Sequence, residues 1–260
     1  MTSKKTLLVT GAAQGVGLAT AHALAQREYR LILLDIQSVD AQVEQLRAQG
    51  AHAEGVTGDV SSEPFVQQLA QRIASDYGAL DGLVNNAGIS LIVPAEHTTA
   101  AQWQRVMAIN LFGPFLLCRY LGAQMLARRQ GSIVNVASVA GLAGISHRSA
   151  YNASKHGLIG LTMTLAAEWG GRGVRVNAVC PGWIKTDMDA VDQGGGAYSD
   201  ADIIDRVPLA RFARAQDVAE AIAFLADSDR NGFINGVSLP VDGGWMADAS
   251  WNDLRLRTRA

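Results

Sequence analysis

Tyr151 and Lys155 stand four residues apart in Tyr151-Asn152-Ala153-Ser154-Lys155, the spacing at which two side chains share one helix face. A phenol ordinarily has a pKa near 10, too high for a base at neutral pH, and a neighbouring ammonium favours its ionised form. Such a pair can move a proton to and from an oxygen. The same pair is also what many solvated helix faces carry. Ser138 tips the balance: it lies thirteen residues upstream, after the apolar run 133–136. Its hydroxyl would sit at a strand end, where it and Tyr151 can converge on one substrate oxygen.

A second group of residues points to a phosphate-bearing ligand. Thr10-Gly11-Ala12-Ala13-Gln14-Gly15-Val16-Gly17 follows an apolar run and precedes a helical pattern. A glycine-rich strand-to-helix turn lets the backbone approach a pyrophosphate and presents amides at a helix N-terminus. Asp35 follows the next apolar run, where a carboxylate can accept both hydroxyls of an adenosine ribose and repel a 2′-phosphate. No Arg or Lys occupies the glycine turn or the two positions after Asp35, so NAD is expected over NADP; the alternative role for Asp35 is a helix cap. Asp59-Val60 could meet the adenine edge. Asn85-Asn86-Ala87-Gly88 either lets the chain pass close to the ribose and ties strands together or is an ordinary turn.

These residues need a scaffold that brings strand ends to one edge. Apolar runs at 7–10, 31–34, 82–85, 132–136, 174–179 and 237–241, with a shorter one at 52–56, read as strands buried on both faces. Between them, helical patterns cover 15–26, 39–49, 63–77, 99–129, 151–170 and 216–226, with a bend or break expected at Gly113-Pro114. This alternation predicts an α/β, single-domain Rossmann fold: a doubly wound, mostly seven-stranded parallel sheet with helices on both faces. One domain spans 1–260, with a substrate loop at about 183–205 and a tail at about 246–260. The glycine-rich stretch 192–200 reads as a lid or as a plain surface loop.

Composition excludes several classes. The 22 basic and 24 acidic residues leave a net charge of −2, no excess for nucleic acid or an anionic membrane. At 48% hydrophobic and 18% charged residues, disorder is not expected. No run reaches the ~18 apolar residues of a membrane span, and the apolar segment behind Lys4-Lys5 is too short for a signal-peptide core of ~7–15 residues. Cys118 and Cys180 read as reduced core residues, and the five histidines show no metal-ligand spacing. A cytoplasmic protein without a metal is expected.

The motifs in order, Thr10-Gly11-x-x-x-Gly15-x-Gly17, Asp59, Asn85-Asn86-Ala87-Gly88, Asn110, Ser138, Tyr151-x-x-x-Lys155 and Pro181-Gly182, resemble the short-chain dehydrogenase/reductase family from Leu7 to about Trp245. The resemblance implies that Tyr151 is the general acid/base on the carbinol oxygen. Lys155 would lower the Tyr151 pKa and bind the nicotinamide ribose, Ser138 would orient the substrate oxygen, and Asn110 would hold a water linking Lys155 to solvent. The Ile184 backbone would meet the carboxamide, and Thr186 the carboxamide or the pyrophosphate. Candidate substrate contacts are Ser90, Ala140, Ile145, His147, Arg148, Trp183 and the 188–200 loop. His147 and Arg148 either bind hydroxyls or an anion or belong to a surface loop, and Trp183 is either an apolar wall or a core aromatic. A homotetramer is implied, with the tail, including Trp251, docked on a neighbouring subunit or frayed.

With NAD, the expected reaction interconverts a secondary alcohol of a sugar, polyol or cyclic alcohol with its ketone or lactone. The alternative is a 3-oxoacyl-[acyl-carrier-protein] reductase, which usually takes NADPH. A non-catalytic NAD-sensing regulator is the reading from another class, and the intact Ser138, Tyr151, Lys155 and Asn110 argue against it.

Overall fold

Side chains alternate across a strand, which sends Leu7 and Val9 to one face of the sheet and Leu8 to the other. In the next strand Leu31 and Leu33 join the first layer, Ile32 and Leu34 the second. Both faces are apolar, so both must be covered, and a parallel sheet between two helical layers does this. The computed structural model describes residues 4–185 and 198–257 and has this architecture. Strands β1 (Thr6–Thr10), β2 (Arg30–Asp35), β3 (His52–Thr57), β4 (Gly82–Asn85), β5 (Gly131–Val136), β6 (Val174–Pro181) and β7 (Ser238–Val241) form a seven-stranded sheet in the order β3-β2-β1-β4-β5-β6-β7. Every pairing is parallel.

The helices are α1 (Gly15–Ala25), α2 (Asp40–Ala48), α3 (Glu63–Tyr77), α4 (Ala100–Arg128), α5 (Ser149–Trp169), α6 (Asp200–Arg206), α7 (Ala215–Ala226) and α8 (Asn252–Arg257). Leu24 of α1, Leu46 of α2 and Ile222 of α7 cover the Leu7 face; Ile73 of α3, Leu121 of α4 and Trp169 of α5 cover the Leu8 face. The strand order reverses direction beside β1, between β1 and β4. Beyond the carboxyl ends of those two strands lies the crevice where open α/β sheets bind ligands.

The structure sharpens three local expectations. Of the bend or break expected at Gly113-Pro114, the break does not occur, since α4 runs unbroken from Ala100 to Arg128. Its turn Ala108–Phe112 is a π turn that ends directly before Gly113-Pro114. That wider turn adjusts the hydrogen-bond ladder where the missing proline N–H and its ring would otherwise break it. By length and composition α4 could cross a membrane, but Leu116, Leu117, Leu121 and Met125 are buried in the core.

Helix α6 fills part of the supposed loop 183–205. Ser199 starts it, with its hydroxyl accepting the Asp202 N–H at 3.4 Å and the Asp202 carboxylate accepting the Ser199 N–H at 2.8 Å. Most of the glycine-rich stretch lies outside the described residues. The described part of the tail is tied to its own chain, where the buried Arg255 donates to the Asp205 carbonyl at 2.7 Å. Trp251 remains exposed.

Candidate active site

The turn after β1 is shaped for close approach. Gly11 has φ +64°, and a Cβ there would stand 2.9 Å from the Ala87 Cα after β4. At Gly17 a side chain would overlap the Gly11 carbonyl. Asn86 closes the gap, its amide donating to the carbonyls of Thr10 and Gly11, both at 3.0 Å. The Thr10 hydroxyl accepts the N–H groups of Asn86 and Ala87. Gln14 caps α1 without a side-chain hydrogen bond, and no acid occupies the first turn. The leading amides are therefore left for an anion, with the helix dipole favouring it.

Asp35 ends β2 at the same crevice. Its carboxylate accepts the Ala13 N–H and the Gln37 N–H, both at 3.0 Å. These bonds anchor the carboxylate to the glycine turn and leave each oxygen a further lone pair for a ribose hydroxyl. Asp59 lies farther along the cleft. Burial works to raise its pKa, but two hydrogen bonds from Ser61 and the charge of Arg105 outweigh it and hold the carboxyl below its ordinary value.

The proton-handling groups meet on the opposite wall. Tyr151 lies in the first turn of α5, where the helix dipole favours a phenolate. Two cations flank its ring: Lys155 Nζ at 5.6 Å from the centroid and Arg148 Cζ at 5.9 Å. Lys155 is 4% exposed and donates to the Val136 carbonyl at 2.8 Å. Burial, against the opposing influence of Cys180, pushes its pKa down to about 8. Ser138 follows β5, and its hydroxyl accepts the Ala140 N–H at 3.1 Å. All three groups line one cleft of about 600 Å³ with the glycine turn and Asp35.

Most of the expected site residues line this cleft: Gly11, Gln14, Gly15, Val16, Asp35, Asp59, Val60, Asn86, Ala87, Gly88, Ser90, Ser138, Ala140, Ile145, Arg148, Tyr151, Lys155, Pro181, Gly182, Trp183 and Ile184. Gly17 sits behind the wall as a packing position. Asn110 is also behind it, in the π turn of α4. Its carboxamide accepts the Ile89 N–H and donates to the Ile89 carbonyl, both at 2.9 Å, and to Ser154 Oγ at 3.2 Å. Both amide hydrogens are thus engaged by protein, and the side chain clamps the Ile89 backbone to Ser154.

His147 is exposed and not among the residues lining the cleft. Its φ of +61° turns the chain so that its carbonyl accepts the Val93 N–H. Arg148 beside it does face the cleft and donates to Ser90 Oγ at 3.0 Å. Thr186 lies outside the described residues. Tyr198, in the stretch 192–200 read as a lid or a surface loop, also lines the cleft. Sequence reasoning did not single out Ile89 or Arg105, which line it too, because only the chain's long-range folding brings them there.

Comparison with known proteins agrees with this geometry. Residues 11–246 match the family model described as enoyl-(acyl-carrier-protein) reductase. The chain is 42% identical over 246 residues to D-threitol dehydrogenase of Mycolicibacterium smegmatis, covering 93% of this chain and 92% of that protein. It is 38% identical over 242 residues to a 3-oxoacyl-[acyl-carrier-protein] reductase of Synechocystis, covering 92% and 96%. A solved structure of a putative NAD(P)-dependent gluconate 5-dehydrogenase of Beutenbergia cavernae, with NADP bound at low occupancy, superposes with a TM-score of 0.90. It is 36% identical, with coverage of 95% of this chain and 98% of that one. The chain belongs to the short-chain dehydrogenase/reductase family and is an oxidoreductase with a site for a nicotinamide cofactor.

Proposed function

We propose that this protein is an NAD-dependent dehydrogenase acting on a secondary alcohol of a sugar, polyol or cyclic alcohol, giving the ketone or lactone. The observation that carries this reading is one cleft lined both by Tyr151, Lys155 and Ser138 and by the anchored carboxylate of Asp35. The glycine cradle and the uncapped α1 fit a dinucleotide pyrophosphate. When bound, the nicotinamide supplies the hydride chemistry. Tyr151 takes the proton from the carbinol hydroxyl, Lys155 keeps the phenol acidic, and Ser138 holds the substrate oxygen.

A panel of sugars, polyols and cyclic alcohols, read by reduced-nicotinamide absorbance with NAD and with NADP, tests this directly. Turnover of a polyol or cyclic alcohol with NAD supports it. NADPH-dependent reduction of a 3-oxoacyl thioester, with no alcohol oxidised, replaces it by the activity named for the Synechocystis relative. Asp35→Ala is expected to weaken NAD use by about tenfold and to narrow the gap to NADP, the loss of one charge-assisted contact. Wild-type discrimination in that variant removes Asp35 from the argument.

Assembly as a homotetramer goes with this reading. Helices α4 and α5 expose apolar side chains: Phe112 and Phe115, stacked at 6.1 Å, with Trp103 and Met163. Exposed apolar faces of this kind mark association surfaces. Phe115→Glu is expected to lower the mass measured by light scattering to a dimer or monomer. A wild-type chain that already runs as a monomer would refute the assembly. The reading places the enzyme in the cytoplasm, consistent with the two free, buried cysteines.

A further inference from the structure

Trp183 and Tyr198 both line the cleft, and a stack of groups packs against Trp183. Its ring centroid is 5.3 Å from that of Trp245, with the planes tilted by 52°. The guanidinium carbon of Arg206 is 5.0 Å from the Trp245 ring centroid. Arg206 in turn donates to the Asp248 carbonyl at 2.9 Å, and its Nη1 is 3.8 Å from the Asp248 carboxylate. Arg255 completes the stack. It is 8% exposed, donates to the Asp205 carbonyl at 2.7 Å, and approaches the same Asp248 carboxylate to 4.0 Å.

The turn after β7 puts Trp245 in place. Gly243 and Gly244 take φ of +65° and +91°, and the Asp242 carboxylate accepts the N–H groups of Gly244 and Met246, both at 2.9 Å. Gly182 is pressed against this turn, since a Cβ on it would stand 2.9 Å from the Asp242 Cα. The Asp205 carbonyl belongs to the last turn of α6, one of the acceptors a helix end leaves unpaired. Arg255 therefore caps α6 at its far end, while Tyr198 sits just ahead of its start, in the cleft wall.

We propose that the C-terminal segment from Trp245 to Arg255 is a brace that fixes the aromatic wall of the substrate end of the cleft. Trp245, Arg206, Asp248 and Arg255 are its positioning residues, acting on substrate specificity through Trp183 and α6. The consequence for substrate rests on the reading that this end of the cleft receives the alcohol. Asp35 and the glycine turn make none of the contacts in the brace, so the adenosine end of the dinucleotide is held independently of it.

The test compares full-length wild type with Arg255→Ala, Arg255→Lys, Trp245→Leu and Trp251→Ala. Arg255→Ala is expected to raise KM for the alcohol by about tenfold, with kcat within about threefold and the NAD Kd within about twofold. Hydrogen–deuterium exchange should quicken in residues 182–185 and 200–209. Arg255→Lys should recover part of the KM, and Trp251→Ala, at an exposed position, should match wild type. Should Arg255→Ala fail to fold, Trp245→Leu carries the same expectation. Unchanged KM, or an NAD Kd that weakens in step with KM, overturns the brace. So does unchanged exchange at 182–185. If no alcohol is oxidised at all, the proposed activity fails, and the exchange measurement alone decides the brace.

Discussion

Tyr151→Phe is expected to lower turnover by about a thousandfold or more while leaving NAD binding within about twofold of wild type. The substitution removes one oxygen and little volume. Helix α5 would remain, because Ser154 Oγ bonds the Tyr151 carbonyl at 2.7 Å rather than its side chain. What is lost is the acid/base group, which sits in the first turn of a helix and between two cations. A fold loss of this size corresponds to about 4 kcal/mol of transition-state stabilisation. Titration of protein fluorescence with NAD, alongside initial rates, separates binding from chemistry. A variant that kept a tenth of wild-type turnover would show that another group handles the proton.

The sheet and the phosphate turn were legible because their signals are local. Continuous apolar runs such as Leu31-Ile32-Leu33-Leu34 can be satisfied only between two helical layers, and the glycines after β1 stand where the chain must touch Ala87. The proton-handling pair was legible because one helix turn fixes it. Other parts depended on distant partners. Asn110 carries no periodic signal; its role arises from clamping Ile89 to Ser154, residues that are 65 positions apart in the chain (154 − 89). Gly113-Pro114 read as a helix bend or break because a local rule cannot foresee the π turn before it. Arg255 lies in the tail that reads as docked on a neighbour or frayed, and only the position of α6 shows which carbonyl it caps. Arg148 was recognised as polar, yet its place beside the Tyr151 ring required the Val93 bridge that folds its loop inward.

Lys155→Met is expected to reduce turnover nearly as severely as the tyrosine variant, and it adds a signature in stability that a bystander residue would lack. A neighbouring cation lowers a phenol's pKa by about one to three units, so removing Lys155 strips Tyr151 of much of its ionised fraction at neutral pH. The optimum pH for alcohol oxidation should move upward as a result. The stability effect follows from burial. In the folded chain the Lys155 pKa is pushed down to about 8, against an ordinary value of 10.5. Between these values the unfolded chain binds more protons than the folded one, so the contribution of Lys155 to stability rises with pH. Below about pH 8 the folded protein bears the full cost of a buried ammonium, and that cost is relieved as the group deprotonates. Methionine has no such dependence. The stability of wild type relative to Lys155→Met should therefore increase by on the order of 2 kcal/mol from about pH 7 to about pH 9.5, read from denaturant melts at both. A difference that stays flat across that range would mean that Lys155 keeps its ordinary pKa, and the burial cost assigned to its ammonium would fall.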